Sequence, residues 1–117
     1  MSSQEVHIIA TLAPKADKVD RFKELMFQMT KDVHSKEEKD TYRYIMTEQL
    51  GTPEGEPKFV MVETYKDKGA ADSHTQTDHF KQLFATAEKE GLFREAPWLA
   101  QTTSIAGFER DRKLIQG

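Results

Sequence analysis

Residues 59–80 read FVMVETYKDKGAADSHTQTDHF and carry the strongest structural signals in the chain. The run opens with β-branched, apolar and aromatic side chains, which predict a strand over residues 58–65. Residues 70–74 then predict a short helical turn. A further helix is expected to begin at Thr77, because a threonine hydroxyl can accept a hydrogen bond from a free amide of the first turn. The stretch therefore predicts a strand that leads into two helical segments.

Three polar side chains stand out in this stretch, namely Glu63, His74 and His79. A partly buried carboxylate needs a partner. His74, Arg43 or Thr47 could be the partner of Glu63. We favour His74, in a polar pair that either holds this corner of the chain together or moves a proton. His79 opens a helix and is expected to face solvent or to cap it. Because the spacing between the histidines does not place both on one helix face, and no third ligand is evident, the sequence predicts no metal site.

Hydrophobic periodicity defines the remaining elements. Val6–Leu12 predicts a first strand with apolar or small side chains on both faces. Apolar side chains at spacings of three and four predict an amphipathic helix over residues 15–34, and alternation predicts a strand over residues 41–50. An apolar stripe continues the helix that begins at Thr77, and residues 100–108 predict a last strand.

The order of these elements, β-α-β-β-α-β, is that of a ferredoxin-like α+β fold with an antiparallel four-stranded sheet. We expect one domain over residues 1–117, with its core at about 6–108 and a loose polar tail at 109–117. The helices cover one sheet face, yet the strands are apolar on both, so the second face would be a large exposed apolar patch. We therefore expect a homodimer in which two sheets pack together as a dimeric α+β barrel.

Composition narrows the classes of function. The 117 residues carry a formal charge of −3 and no cysteine, which gives no reason to expect nucleic acid as a partner. No apolar run approaches the roughly 20 residues that span a membrane. The amino terminus lacks the pattern of a secretory signal, so we expect a cytoplasmic protein. Without a GxGxxG motif or a P-loop there is no cradle for a nucleotide, and we expect no cofactor.

Residues 59–67, FVMVETYKD, and residues 70–80, AADSHTQTDHF, resemble the antibiotic biosynthesis monooxygenase family. The family pattern is an apolar strand that ends in Glu-x-aromatic, a short helix with Ala and His, a Thr or Ser, and a second His before an aromatic or apolar residue. The matching residues are Glu63, Tyr65, Ala70, His74, Thr77, His79 and Phe80. Tyr44 matches a tyrosine that is common in the second strand of the family. The resemblance extends over about residues 6–108.

This resemblance implies a dimeric α+β barrel with an apolar pocket between the sheet and the helices of each subunit. Some family members oxidise anthrones and related phenols with molecular oxygen and without flavin, haem or metal. The resemblance therefore implies a cofactor-independent monooxygenase of secondary metabolism that acts on a small aromatic substrate and oxygen. His74 and Glu63 are the expected catalytic residues. The expected substrate-binding residues are Tyr44, Tyr65, Phe84 and Trp98.

Two other classes of function stay open on the sequence alone. The same apolar pocket suits a cyclase, decarboxylase or isomerase of a polyketide-like metabolite that works without oxygen. It also suits a non-catalytic stress protein that binds small molecules without turnover. Haem degradation is disfavoured, because the helix after His79 has no further histidine to bind iron and is apolar at Leu83 and Phe84.

Overall fold

A computed structural model describes residues 4–35 and 38–116 of the chain. Its first elements are β1 (Val6–Leu12), a 3₁₀ turn (Ala16–Lys18), α1 (Val19–Ser35), β2 (Thr41–Glu48) and β3 (Phe59–Tyr65). These are followed by α2 (Lys68–His74), α3 (Asp78–Glu90), β4 (Trp98–Thr102), β5 (Ala106–Phe108) and β6 (Leu114–Gln116). Without the 3₁₀ turn, the elements from β1 to β4 run β-α-β-β-α-α-β. This is the predicted order, and α2 and α3 are the two helical segments expected after the third strand.

The main sheet has four strands in the order β2-β3-β1-β4, and every neighbouring pair is antiparallel. This arrangement confirms the predicted ferredoxin-like α+β fold. The register places Glu63 opposite Ile8 of β1 and opposite Tyr44 of β2. Because paired residues of antiparallel strands point to the same face, Glu63 stands in the middle of the sheet and on the face that Ile8 buries.

The core lies between this inner sheet face and α1. Alternate residues of β1, namely Ile8, Ala10 and Leu12, are buried, as the period of two along a strand requires. The helix buries one stripe at helical spacing against them, consisting of Phe22, Met26, Met29 and Val33. Fully burying a side chain of this size contributes roughly 1.5–3 kcal/mol. The core therefore fixes the sheet on which Glu63 is mounted.

A short corner between α2 and α3 positions both histidines of the opening stretch. His74 is the last residue of α2, and His79 is the second residue of α3. Between them, the Thr77 hydroxyl accepts a hydrogen bond from the Phe80 amide (3.3 Å) and donates one to the His74 carbonyl oxygen (2.8 Å). The predicted cap at Thr77 is confirmed. The same side chain joins the end of one helix to the start of the next.

The outer face of the sheet carries apolar side chains that α1 and α3 do not cover. One register row across all four strands consists of Ile45, Val62, Ile9 and Ala100. The next row places Trp98 beside Thr11. Half of the Ile45 surface and 57% of the Trp98 surface are exposed. This face matches the apolar second face that the strand patterns predict.

The carboxyl-terminal part of the chain differs from the prediction. The single strand expected over residues 100–108 is two strands, β4 and β5, separated by residues 103–105. Part of the segment expected as a loose tail forms β6, which pairs with β5 in a two-stranded hairpin. The polar side chains of residues 109–113 led to the prediction of a tail, but this stretch is the turn of the hairpin. Within the turn, the Lys113 backbone amide donates a hydrogen bond to the Asp111 carboxylate. Among the described residues, no helix has the length and apolar character to cross a membrane.

Candidate functional site

A narrow apolar cavity of about 40 Å³ lies between the inner sheet face and helices α1 and α3. Its walls are mostly aliphatic, methionine and phenylalanine side chains. They comprise Ile8, Ala10, Leu12, Met26, Met29, Met61, Phe80, Leu83, Phe84 and Leu99. The polar contributors are Tyr44, Glu63, His74 and Thr75. An apolar hollow with a few convergent polar groups is the usual form of a small-molecule site.

Three buried side chains meet at the end of this cavity where His74 lies. Nδ1 of His74 is 2.8 Å from Oε1 of Glu38, and Nε2 of His79 is 2.5 Å from Oε2 of the same carboxylate. The side chains of His74, His79 and Glu38 are 2%, 8% and 9% exposed. We call these residues the Glu38 cluster. It joins α2 and α3 to the segment that precedes β2.

The two histidines determine the charge state of Glu38. Burial acts to raise the pKa of this carboxyl, but hydrogen bonds from His74 and His79 outweigh it and hold the pKa below its ordinary value. Glu38 is therefore ionised at neutral pH and accepts from both rings. A neutral imidazole carries one proton, so a His74 ring that donates from Nδ1 leaves Nε2 as an acceptor.

The second buried carboxyl has the opposite tendency. The pKa of Glu63 lies above its ordinary value, mainly because the carboxyl group is buried. The hydrogen bond from Tyr65 (2.5 Å) and the nearby His74 lower this pKa, and the charge of Glu38 raises it, so the net shift is upward. Burial also raises the pKa of Tyr65 and of Tyr44. Both phenols are therefore neutral, and Tyr65 donates to Glu63. Two carboxyl groups with opposite pKa shifts therefore lie at or near the cavity. Glu38 is ionised at neutral pH, whereas the raised pKa of Glu63 favours its protonated form.

The predicted pair of Glu63 and His74 is wrong as a hydrogen-bonded pair. His74 pairs with Glu38, and Glu63 pairs with Tyr65. Sequence reasoning missed Glu38 because it lies in SKEEKD, residues 35–40, a charged run typical of a solvent-exposed connection. No spacing rule marks this one glutamate, since its partners are 36 and 41 residues away.

His79 is also placed differently from the expectation. It was expected to face solvent or cap a helix, whereas its side chain is buried and bonded to Glu38. The argument that no third metal ligand exists is wrong as well. Donor atoms of Glu38, His74 and His79 all lie within 4.8 Å of one another, so these three residues could hold a metal ion.

The four aromatic residues predicted to bind substrate divide into two groups. Tyr44 and Phe84 line the cavity. Tyr65 is fully buried and contributes through its hydrogen bond to Glu63 rather than as part of the cavity wall. Trp98 lies on the outer sheet face beside Thr11 and does not reach the cavity. The register of β4 against β1 turns its side chain outward.

This fold and this site define a class of small α+β proteins with an apolar cavity under the sheet and a few buried polar groups at its end. The model of the antibiotic biosynthesis monooxygenase family matches residues 5–86, which include β1 to most of α3 and all members of the Glu38 cluster. The chain belongs to this family. No curated protein sequence matches it.

Solved structures of similar fold come from several organisms. A conserved protein from Methanosarcina mazei is 23% identical with a TM-score of 0.73, over 86% of this chain and 92% of that one. A protein from Caulobacter crescentus, described as a candidate antibiotic biosynthesis monooxygenase, is 22% identical with a TM-score of 0.76, over 88% and 92%. Rv0793 from Mycobacterium tuberculosis is 20% identical with a TM-score of 0.73, over 86% and 94%. At these identities the likeness establishes the fold alone.

We predict that Glu63→Gln makes the protein more resistant to unfolding as the pH rises. Because burial raises the pKa of Glu63 in the folded state, its contribution to stability is full below the unfolded pKa of about 4.3 and is lost as the pH rises through the folded pKa. Glutamine cannot ionise and escapes this loss. The difference in Tm between variant and wild type should therefore grow as the pH rises above the unfolded pKa, with each kcal/mol equal to about 4 °C.

The matched control for this measurement is Glu48→Gln, since Glu48 is an exposed glutamate at the end of β2. Its Tm difference from the wild type should not change with pH. Protein concentration is kept constant, because association shifts Tm. If the difference in Tm between Glu63→Gln and the wild type stays constant or decreases as the pH rises, ionisation of the buried carboxyl group does not destabilise the folded state.

Proposed function

We propose that this protein is a cofactor-independent monooxygenase that oxidises a small electron-rich aromatic substrate of the anthrone, phenol or quinol type, in secondary metabolism. One observation carries the proposal. His74 is buried at the end of an apolar cavity, and its Nδ1 is held by the ionised Glu38. Family membership supports a monooxygenase, and the cavity supports an apolar substrate.

The Glu38 contact gives His74 the form of a general base. A carboxylate that accepts Nδ1–H fixes the orientation of the ring and the tautomer, and it stabilises the imidazolium that forms when Nε2 takes a proton. No described residue donates a hydrogen bond to Nε2 of His74. Nε2 is therefore the acceptor for a substrate proton, and Glu38 is the positioning residue behind it. Glu63, with its raised pKa, is the second polar group at the cavity wall.

The reaction balances without an added reductant. His74 removes a proton from the substrate, and the resulting anion transfers one electron to oxygen. The substrate radical and superoxide combine to form a carbon–oxygen bond, and a proton from His74 converts the peroxide anion to a hydroperoxide. Loss of the remaining hydrogen on that carbon as a proton then cleaves the oxygen–oxygen bond and releases water, which leaves a carbonyl group. An apolar cavity suits this sequence because it excludes bulk water from the anion and the radical pair.

The cavity has to widen before a ring system enters. A volume of about 40 Å³ holds a few water molecules at most, whereas small-molecule sites usually measure roughly 300 Å³ or more. Phe84 lines both the cavity and a surface hollow of about 410 Å³. Met26 and Met29 form part of the opposite wall, and methionine adapts to new shapes. We infer that substrate enters by displacing Phe84, which joins the two spaces.

The decisive experiment measures oxygen uptake with an anthrone-type substrate in chelator-treated protein. His74→Gln should lower kcat/KM by about 100-fold or more, the usual contribution of general acid–base catalysis. The control is His34→Gln, which removes an exposed histidine of α1 and should leave the rate unchanged. Equal turnover in His74→Gln and wild type would remove His74 from the mechanism. Product formation without oxygen uptake would indicate the cyclase, decarboxylase or isomerase class, and binding without turnover would indicate a binder.

We also propose that the functional unit is a homodimer formed through the outer sheet face. The row Ile45, Val62, Ile9 and Ala100 runs across all four strands, and Trp98 extends it. Exposed apolar side chains that are contiguous on one face usually mark an interaction surface. A second copy of the same face is the simplest cover, because twofold dimers are the commonest oligomers.

In light scattering after gel filtration, the wild type should have twice the 13.5-kDa mass of the chain. Ile45→Lys places a charge at the β2 end of the apolar row and should shift the mass to that of one chain, because the charge would be desolvated in the interface. Leu50→Lys is the matched control, since Leu50 is 91% exposed in the loop after β2 and should leave the dimer intact. A wild-type monomer at micromolar concentration would contradict the proposal.

A further inference from the structure

We propose that Glu38, His74 and His79 form a binding site for a divalent first-row transition-metal ion, of which zinc is the simplest probe. The donors come from three different places in the chain: the segment before β2, the end of α2 and the start of α3. All three side chains are at least nine-tenths buried. Their donor atoms lie within 4.8 Å of one another. Such convergence of metal-ligating atoms inside a protein is a specific arrangement rather than a surface cluster.

The distances are close to those of an occupied site. Zinc binds imidazole nitrogen and carboxylate oxygen at about 2.0–2.2 Å, so neighbouring donors around a tetrahedral ion are roughly 3.4 Å apart. Nδ1 of His74 and Nε2 of His79 are already 2.8 Å and 2.5 Å from the Glu38 oxygens. These donors would have to move apart by roughly 0.6–0.9 Å to reach the spacing of a coordinating set. A fourth position is left for water, as in sites with three protein ligands.

The donor set selects the class of metal. Two imidazoles and one carboxylate suit zinc and divalent iron, whereas calcium and magnesium prefer oxygen ligands throughout. When the ion takes Nδ1 of His74 and Nε2 of His79, the ring proton of each histidine moves to its other nitrogen. The set then carries a single negative charge from Glu38, and a divalent ion leaves a net charge of +1 at the site.

The electrostatics of the surroundings also favour a cation. Glu38 and Glu63 are two buried carboxyl groups near one end of the cavity. Among the described residues, no lysine or arginine forms an ion pair with either group. A bound cation would offset charge that the protein leaves without a fixed positive partner.

Metal binding and proton acceptance by His74 exclude each other. With an ion on Nδ1, the ring carries its proton on Nε2 and cannot accept one from a substrate. The ion would therefore inhibit the oxygenase. This consequence rests on the function proposed above, whereas metal binding itself does not.

The test is a calorimetric titration of the metal-free protein with zinc chloride, with bound zinc counted by elemental analysis after gel filtration. The wild type should bind one zinc ion per chain. Glu38→Gln and His79→Gln roughly keep the size and polarity of the side chains, but each removes a strong metal ligand. Both should weaken zinc binding by about 100-fold or more. Loss of a group that only hydrogen-bonds to a metal ligand already weakens binding by about 10- to 100-fold. His7→Gln is the control, because His7 bonds Thr64 and Ser104 and is separate from the cluster.

The outcomes separate the two proposals. Failure of the wild type to bind zinc, or equal binding by Glu38→Gln and wild type, would overturn the metal site and leave the oxygenase untouched. Stoichiometric binding that the cluster variants lose would establish the site. Folding of each variant is checked by circular dichroism, and His79→Gln supplies a second reading where Glu38→Gln fails to fold. Zinc that binds at the cluster without slowing oxygen uptake would confirm the site and refute the role of His74 as proton acceptor.

Discussion

The Glu38 carboxylate, held between His74 and His79, is the interaction on which the rest of the site depends. It joins the segment before β2 to two helices, which are also linked by the turn at Thr77 and by the contact between the His74 and Phe80 rings. Breaking a buried charged pair by removing one partner is costly, because the other group is left unpaired in a medium of low dielectric constant. The contact also has a chemical consequence, since it fixes which nitrogen of His74 is free. The same contact therefore links these elements of the fold and sets the His74 tautomer on which the proposed reaction depends.

Two carboxyl groups with opposite environments stand near the same cavity. Hydrogen bonds from two histidines keep Glu38 ionised, whereas burial makes Glu63 reluctant to lose its proton. Such divergence between neighbouring titratable groups is typical of sites that move protons. Tyr44, Glu63, His74 and Thr75 are the polar side chains of the cavity, and the remaining wall is built mostly from core side chains of β1, α1 and α3. A flat aromatic molecule and a dry pocket are compatible with this division.

Local patterns were sufficient to predict the fold, because each strand and helix signals its own period and the order β-α-β-β-α-β has few solutions. They also identified Glu63, His74, Tyr44 and Phe84 near the cavity. Long-range pairing was the part that sequence could not supply. Nothing local distinguishes Glu38 from its neighbours in a charged run, and the outward direction of Trp98 depends on the register of β4 against β1. The β5–β6 hairpin was missed because each strand has only three residues and the polar turn between them, residues 109–113, resembles a tail.

The central claim is that Glu38 holds the Nδ1 proton of His74 and leaves Nε2 as the acceptor. Nitrogen-15 NMR of the histidine side chains tests it most directly, because the shifts and long-range proton couplings of the ring nitrogens report which one is protonated. At mildly alkaline pH, we expect the His74 resonances of the metal-free protein to show a protonated Nδ1 and an unprotonated Nε2, and we expect Glu38→Gln to weaken this preference. A His74 ring that carries its proton on Nε2 in the metal-free wild type would contradict the account.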